Sequence, residues 1–474
     1  MGATAHRARL VSLAYPVYFE LLSGVTAGVI NTVWVARLGA DRVAAVAVAT
    51  NVENVLLGVV LMAGSGTTVL VARARGAGDA DGVRAAVRGG WALCALLTPL
   101  VAVGGFWGRE ALARLVLGGG GGGGGDAPAL AAGYFSIALP GIAVLFATNV
   151  VDGILKGTGD TRTPMRLALL ANGLILVLDP LLILGCGLGV KGAALATVAG
   201  RTAALVWGLV MLRRCAALPH RAVDPGGGPP LPDRLPDRLR GLSRDLRRTI
   251  RVGLPLSAEF VVRMSGTLAL VAVVARIGVT EVAAYGIATK AMYGATMAFY
   301  ALRQAAAIHT GRLLGAGRDE RAAVGRQVLR LAGAAGCGAL LVSAAAAPWI
   351  MTALGARGDV AAAGALYLRC LGPYLVLLAC FIALGGVFEG AGAGRVLAGI
   401  TACGVALQLA LAGGLSGLGL PGVCLAMALA TAVQCAALGR LHRRTPHQRA
   451  GEGSAVRAVL GASGPRGRGV ERHS

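Results

Sequence analysis

Asp179 is the residue whose type and position point most directly to chemistry. It lies well inside an apolar run, roughly residues 166–187, long enough to be a membrane-crossing helix. A carboxylate at membrane depth costs several kcal/mol unless it is paired or hydrated, so it marks a pathway by default. It can also take up and release a proton or a cation, the step that an ion-driven transporter needs. Asn172, about two helical turns earlier on a similar face, could share a polar site with it, and Asn31, in the first apolar run, could ligate an ion or hydrogen-bond Asp179. Glu20 lies eleven residues before Asn31, close to the same helix face. The alternatives are structural: Asp179 as the cap of a break at Pro180, and Glu20 as an interface glutamate or an ion-pair partner.

The elements that position these groups come from a duplication. Pro16, Glu20, Val35-Ala36-Arg37, Ala44-Ala45 and Ala49-Thr50 recur 239 residues later as Pro255, Glu259, Val274-Ala275-Arg276, Ala283-Ala284 and Ala288-Thr289. The register holds to Arg73 and Gly76-Ala77-Gly78 against Arg312 and Gly315-Ala316-Gly317. It then slips, so that Tyr134, Gly153, Gly157, Gly159 and Arg162 match Tyr367, Gly386, Gly390, Gly392 and Arg395. About twelve apolar runs of about 20 residues fall six to each copy, which predicts an all-α polytopic membrane protein with twelve transmembrane helices in two pseudo-symmetric six-helix lobes. The expected divisions are residues 1–212 for the N-lobe, 213–251 for a cytoplasmic linker, 252–441 for the C-lobe and 442–474 for a disordered cytoplasmic tail. An excess of arginine in alternate loops predicts cytoplasmic N- and C-termini, and the preponderance of arginine over lysine with abundant alanine and glycine suits a GC-rich bacterial genome and so a bacterial inner membrane.

The second copy carries its own charged groups. Glu259 and Arg263 stand four residues apart, spacing that suits an ion pair on one helix face, and Lys290, Arg303 and Gln304 follow in the next span. Glu259, Arg263, Gln304 and Lys290 are candidates for the substrate cavity, the first two also for simple mutual neutralisation. A free Arg263 would favour anionic or neutral substrates. Asp152 and Lys156 close the fourth span, and Glu389 occupies the repeat position of Lys156; a Lys156–Glu389 bridge between lobes is a candidate cytoplasmic gate, with snorkelling interface residues as the alternative.

Composition bounds the rest. With 56 % hydrophobic residues, 14 % charged residues and a mean hydropathy of +0.70, the chain is far more apolar than a soluble protein of its length. The formal charge of +23 accumulates in the linker and tail, which suits anionic lipid headgroups, and no nucleic-acid motif accompanies it. The first span follows His6, Arg7 and Arg9 without a small-residue cleavage site and is expected to stay as a helix. The nine cysteines show no metal spacing, the histidines are mostly terminal or in loops, and no HExxH, GxSxG or Walker A pattern occurs; no metal, no cofactor and no enzyme activity are expected. Eight glycines, Gly118 to Gly125, read as a spacer. Leucines at 235, 239, 242 and 246 with interspersed arginines predict a basic amphipathic helix on the membrane surface.

Three motifs then resemble the multidrug and toxic compound extrusion (MATE) family over nearly all of residues 10–441. They are the proline-to-Ala-Ala pattern of both copies, the loop Gly157-Thr158-Gly159-Asp160-Thr161-Arg162-Thr163-Pro164, and Leu178-Asp179-Pro180-Leu181 followed by Gly189-Val190-Lys191-Gly192-Ala193-Ala194. The resemblance implies a twelve-helix antiporter that exports drugs, toxins or secondary metabolites against inward protons or sodium ions. Asp179 matches the family's N-lobe aspartate. Asn31 stands where the family often has a second aspartate, so Glu20 is a candidate replacement; Arg263 stands where some members have a glutamate. A related flippase for a lipid-linked oligosaccharide or another anionic amphiphile is the alternative, and a membrane-embedded enzyme ranks below it. The expected partners are a small organic substrate and the lipid bilayer, with the protein a monomer.

Overall fold

The computed structural model describes residues 2–37, 40–117, 127–217 and 235–461, and every regular element among them is helical. The N-terminal copy forms α1 (Ala3–Ala36), α2 (Ala40–Ala77), α3 (Ala80–Leu117), α4 (Ala127–Thr158), α5 (Arg162–Pro180) and α6 (Gly189–Ala217). The second copy forms α7 (Leu235–Ala275), α8 (Val279–Gly315), α9 (Arg321–Ala353), α10 (Gly358–Cys370), α11 (Gly372–Gly390), α12 (Gly394–Gly414) and α13 (Gly419–Gly461). Eleven segments among the described residues are long and apolar enough to cross a membrane. The helix α8 is long enough at 37 residues but is not one of the eleven; it carries Lys290, Arg303 and Arg312.

Several boundaries differ from the sequence reading for local reasons. In place of one span over residues 364–388 the second copy has two helices, α10 and α11, which meet at Leu371, with Pro373 in the first turn of α11, where its missing N–H breaks no helical hydrogen bond. Pro16 and Pro255 lie inside α1 and α7 rather than opening them. The amphipathic leucine stretch is the first part of α7, continuous with the seventh span, because Gly241 and Pro255 do not interrupt it. Its Leu246 and Ile250 pack against an N-lobe cluster containing Leu93, Cys94 and Phe146. The backbone of α13 stays helical to Gly461, into the segment expected to be disordered. The polyglycine loop and the Pro/Gly part of the linker lie outside the described residues.

Two helices cross at glycine in each lobe, α2 with α4 in the first copy and α8 with α11 in the second. A methyl group on Gly153 of α4 would collide with the backbone at Gly64 of α2, and one on Gly386 of α11 would collide with the backbone at Arg303 of α8. Close backbone approach of this kind is how membrane helices associate, since lipid offers no hydrophobic drive. The two crossings are equivalent under the sequence repeat. They also bring the charged residues of α4, α8 and α11 into the lobe interiors.

Candidate transport site

In the N-lobe, α1 and α5 run side by side and are joined by two polar rungs. Asn31 Nδ2 donates to Asp179 Oδ2 at 2.8 Å, and Asn172 Nδ2 donates to Ser23 Oγ at 2.8 Å. The rungs are seven to eight residues apart on each helix, about two turns or about 11 Å. Asn172 therefore shares the face of Asp179 but not its site. Asp179 is 1 % exposed, and its second oxygen, Oδ1, is buried without a hydrogen-bond partner. The helix changes to a π turn over Leu181–Gly185 directly after Pro180, so the proline does mark a break; the Asp179 side chain is nonetheless turned to Asn31.

A second carboxylate lies nearby. Tyr134 of α4 donates its hydroxyl to Glu53 Oε1 of α2 at 3.0 Å, and these two with Thr197 and Arg201 of α6 line a cavity of about 10 Å³, room for about one water. Glu53, Tyr134 and Arg201 were not among the expected site residues. Glu53 carried a usable signal, because it is an acid inside the second apolar run.

The expected Lys156–Glu389 gate does not form. Lys156 Nζ pairs instead with Glu20 Oε1 of α1, inside its own lobe, at 2.6 Å. Glu389 pairs with Arg303 Nε at 2.9 Å, also inside its own lobe. Arg303 in turn grips both oxygens of Glu259, Nη1 to Oε1 at 3.0 Å and Nη2 to Oε2 at 2.5 Å. Arg263 completes the expected i,i+4 contact with Glu259 at 2.8 Å and lies over the Tyr300 ring. The physical reason is the position of the basic group: in the C-lobe the cation stands on α8 as Arg303, whose N-lobe counterpart is Gly64, while in the N-lobe it stands on α4 as Lys156. Each lobe thus supplies a cation of its own to the carboxylate on its first helix, Glu20 or Glu259. Lys290 is exposed and Gln304 is half-buried.

Contacts between lobes use other residues and are reciprocal. Arg73, near the end of α2, donates Nε and Nη2 to the carbonyl of Gly390, the last residue of α11, at 3.1 and 3.0 Å. Arg312, at the repeat position on α8, donates Nη2 to the carbonyl of Thr158, the last residue of α4, at 2.5 Å. Each arginine caps the other lobe's helix, where unpaired carbonyls and the negative end of the helix dipole favour a cation. Gly159 and Gly392 follow these helix ends with φ of +83° and +71°, and a side chain at either would strike the arginine. The loop motif around Gly159 therefore serves docking and capping; Asp160 Oδ1 accepts the backbone N–H groups of Arg162 and Thr163 at 3.0 Å each to start α5. On the same side His6 Nδ1 meets His309 Nε2 at 3.0 Å, and nearer the middle of α2 Ser257 donates to the Gly58 carbonyl at 2.5 Å.

The sequence model of the MatE family matches residues 16–181 and 255–412, one match to each copy and together more than half the chain. The chain belongs to the MatE family. Among curated relatives it is 26 % identical over 317 residues to "Probable multidrug resistance protein YpnP" of Bacillus subtilis, covering 66 % of each chain. It is 29 % identical over 325 residues to "Probable multidrug resistance protein NorM" of Deinococcus radiodurans, covering 67 % of this chain and 66 % of that one. These alignments span just under two thirds of the relatives' length. A solved structure of a MATE protein in complex with MaL6 superposes with a TM-score of 0.82 at 22 % identity, over 92 % of this chain and 96 % of that one, which establishes the fold. The chain thus combines the MatE family pattern with the MATE fold and with eleven segments, among the described residues, long and apolar enough to cross a membrane.

Proposed function

We propose that this MatE protein is a secondary antiporter in the bacterial cell membrane, exporting small organic compounds in exchange for protons or sodium ions by alternating access. The observation that carries the reading is Asp179, a buried carboxylate at membrane depth with one oxygen on Asn31 and the other unpartnered. A carboxylate so placed is poised to gain and lose a proton or cation as its access changes. Asn31 holds and orients Asp179 but cannot itself carry a proton at working pH. The Arg73 and Arg312 contacts close the molecule on the side of the N-terminus, taken as cytoplasmic, and support an outward-facing resting state.

A flippase for anionic amphiphiles would need free cations in its cavity, for which Arg263, Arg303 and Lys290 are the candidates of the second copy. Arg263 and Arg303 are both tied to Glu259, leaving Lys290. In this proposal the protein needs no cofactor and works as a monomer with both termini in the cytoplasm. Efflux of a panel of dyes from vesicles under imposed pH or sodium gradients tests it. Asp179→Asn is expected to abolish gradient-driven efflux while leaving dye binding in place; full gradient-driven efflux in that variant would overturn the coupling assignment.

A further inference from the structure

The two lobes bury the same acid on their first helix, Glu20 and Glu259, but balance it differently. In the C-lobe, Glu259 and Glu389 face Arg303 and Arg263, so two carboxylates meet two guanidinium groups and the formal charge is zero. In the N-lobe, Glu20 pairs with Lys156, and Asp152 stands one turn before Lys156 on α4. Two carboxylates share one ammonium there, which leaves one negative charge in excess. Glycines mark the difference: Gly64 stands at the repeat position of Arg303, so the N-lobe lacks that cation, and Gly385, beside Arg303, stands at that of Asp152, so the C-lobe lacks that acid.

The excess is visible in the hydrogen bonding. Glu20 Oε2 and Asp152 Oδ1 are both buried without a partner, whereas both oxygens of Glu259 are held. Among the described residues the charges acting on Asp152 are Lys156 from its own helix and Glu20 from α1; α2 contributes the uncharged Thr68 and Gly64 where it crosses α4. An uncompensated carboxylate at this depth is more costly than its protonated form. A neutral acid would also donate the hydrogen bond that the orphaned oxygens lack.

We infer that the N-lobe holds a second proton-binding carboxylate, Asp152, set beside the Glu20–Lys156 ion pair. In the protonated state Asp152 is a neutral carboxylic acid and the pair stays ionised; on deprotonation the proton leaves to water and the triad carries one negative charge. The triad lies about 16 Å from the Asp179–Asn31 contact along α1, from the eleven residues between Glu20 and Asn31. Two proton sites are thus stacked along one helix, the lower nearer the Arg73 and Arg312 contacts. As a step in ion coupling this rests on the antiport reading; as a proton-binding site it does not.

Infrared difference spectroscopy on the full-length protein in nanodiscs, titrated through neutral pH without substrate or gradient, tests the inference. Asp152→Asn is expected to remove one protonated-carboxyl band that Asp179→Asn retains. Lys156→Met, which deletes the ammonium of the triad, is expected to add a band as the remaining pair of acids takes up a further proton. An unchanged set of bands in Asp152→Asn overturns the inference, and so does the absence of a new band in Lys156→Met. Failure of gradient-driven efflux alone would count against the antiport reading and leave these spectra as they are.

Discussion

Replacing Arg73 or Arg312 by alanine should release the lobes from one another on the side of the N-terminus. Each guanidinium makes charge-assisted hydrogen bonds to a helix-terminal carbonyl, two from Arg73 and one from Arg312. Such contacts contribute about 1.5–3 kcal/mol, so one loss of about 2 kcal/mol moves the closed-to-open ratio about 30-fold. The backbones of Arg73 and Arg312 adjoin, with Gly315 packed on Arg73 and Gly76 on Arg312, so the two losses are coupled rather than independent. The double variant is expected between about 30-fold and about 10³-fold. Spin labels at Arg162→Cys and Arg395→Cys, exposed repeat-related positions at the starts of α5 and α12, report the separation by pulsed electron paramagnetic resonance once the native cysteines are replaced. The ratio of long to short distances should rise by those factors; an unchanged ratio in the double variant would refute the reasoning.

The glycines beneath the arginines should behave alike. Gly159→Ala forces a side chain into a left-handed backbone, at about 1–2 kcal/mol, and also displaces Arg312, so the same spin-label ratio should rise; Gly392→Ala should do so through Arg73. Gly317→Ala is the control, with φ of +72° but open space around it: a lower melting temperature with an unchanged distance ratio. Glu259→Gln removes the charge that both Arg303 and Arg263 contact, and breaking a buried pair this way is expected to cost about 3–5 kcal/mol, read as a large fall in melting temperature. Asp179→Asn, which removes a charge with no ion-pair partner among the described residues, should leave the melting temperature nearly unchanged.

The helical lobes were legible because apolar run length and a repeat in the sequence act locally and in order. Asp179 was legible for the same reason: a carboxylate in an apolar run is conspicuous whatever surrounds it. Its contact with Asn31 could be anticipated from Asn31's place in the family pattern, but that Asn172 belongs to another rung could not, because its partner Ser23 is a small polar residue that stands out nowhere. Glu53 stood in plain view within the second apolar run and carries a hydrogen bond from Tyr134, a residue noted in the sequence only as a repeat marker. The Lys156–Glu389 gate failed because alignment of the copies shows which residues correspond, not which helix supplies the counter-charge. Arg303 faces Gly64 across the repeat, and a glycine gives no hint of a displaced cation.

The residues that the copies keep in common and those in which they differ divide along the lobe interface. A contact between two pseudo-symmetric lobes comes in pairs: if Arg73 of one docks on the end of α11, its counterpart Arg312 docks on the end of α4, and Gly392 and Gly159 must both stay open to receive them. Changing one member of such a set leaves an arginine without its carbonyl, so both copies retain arginine and glycine at the same places. Ion pairs inside a lobe carry no such reciprocity. The cation can sit on α4 in one lobe and on α8 in the other, provided a carboxylate is within reach. The loop motif around Gly159 accordingly serves the interface, and in the proposed antiport the ion chemistry falls where the copies disagree, at Asp179, Asn31 and Asp152.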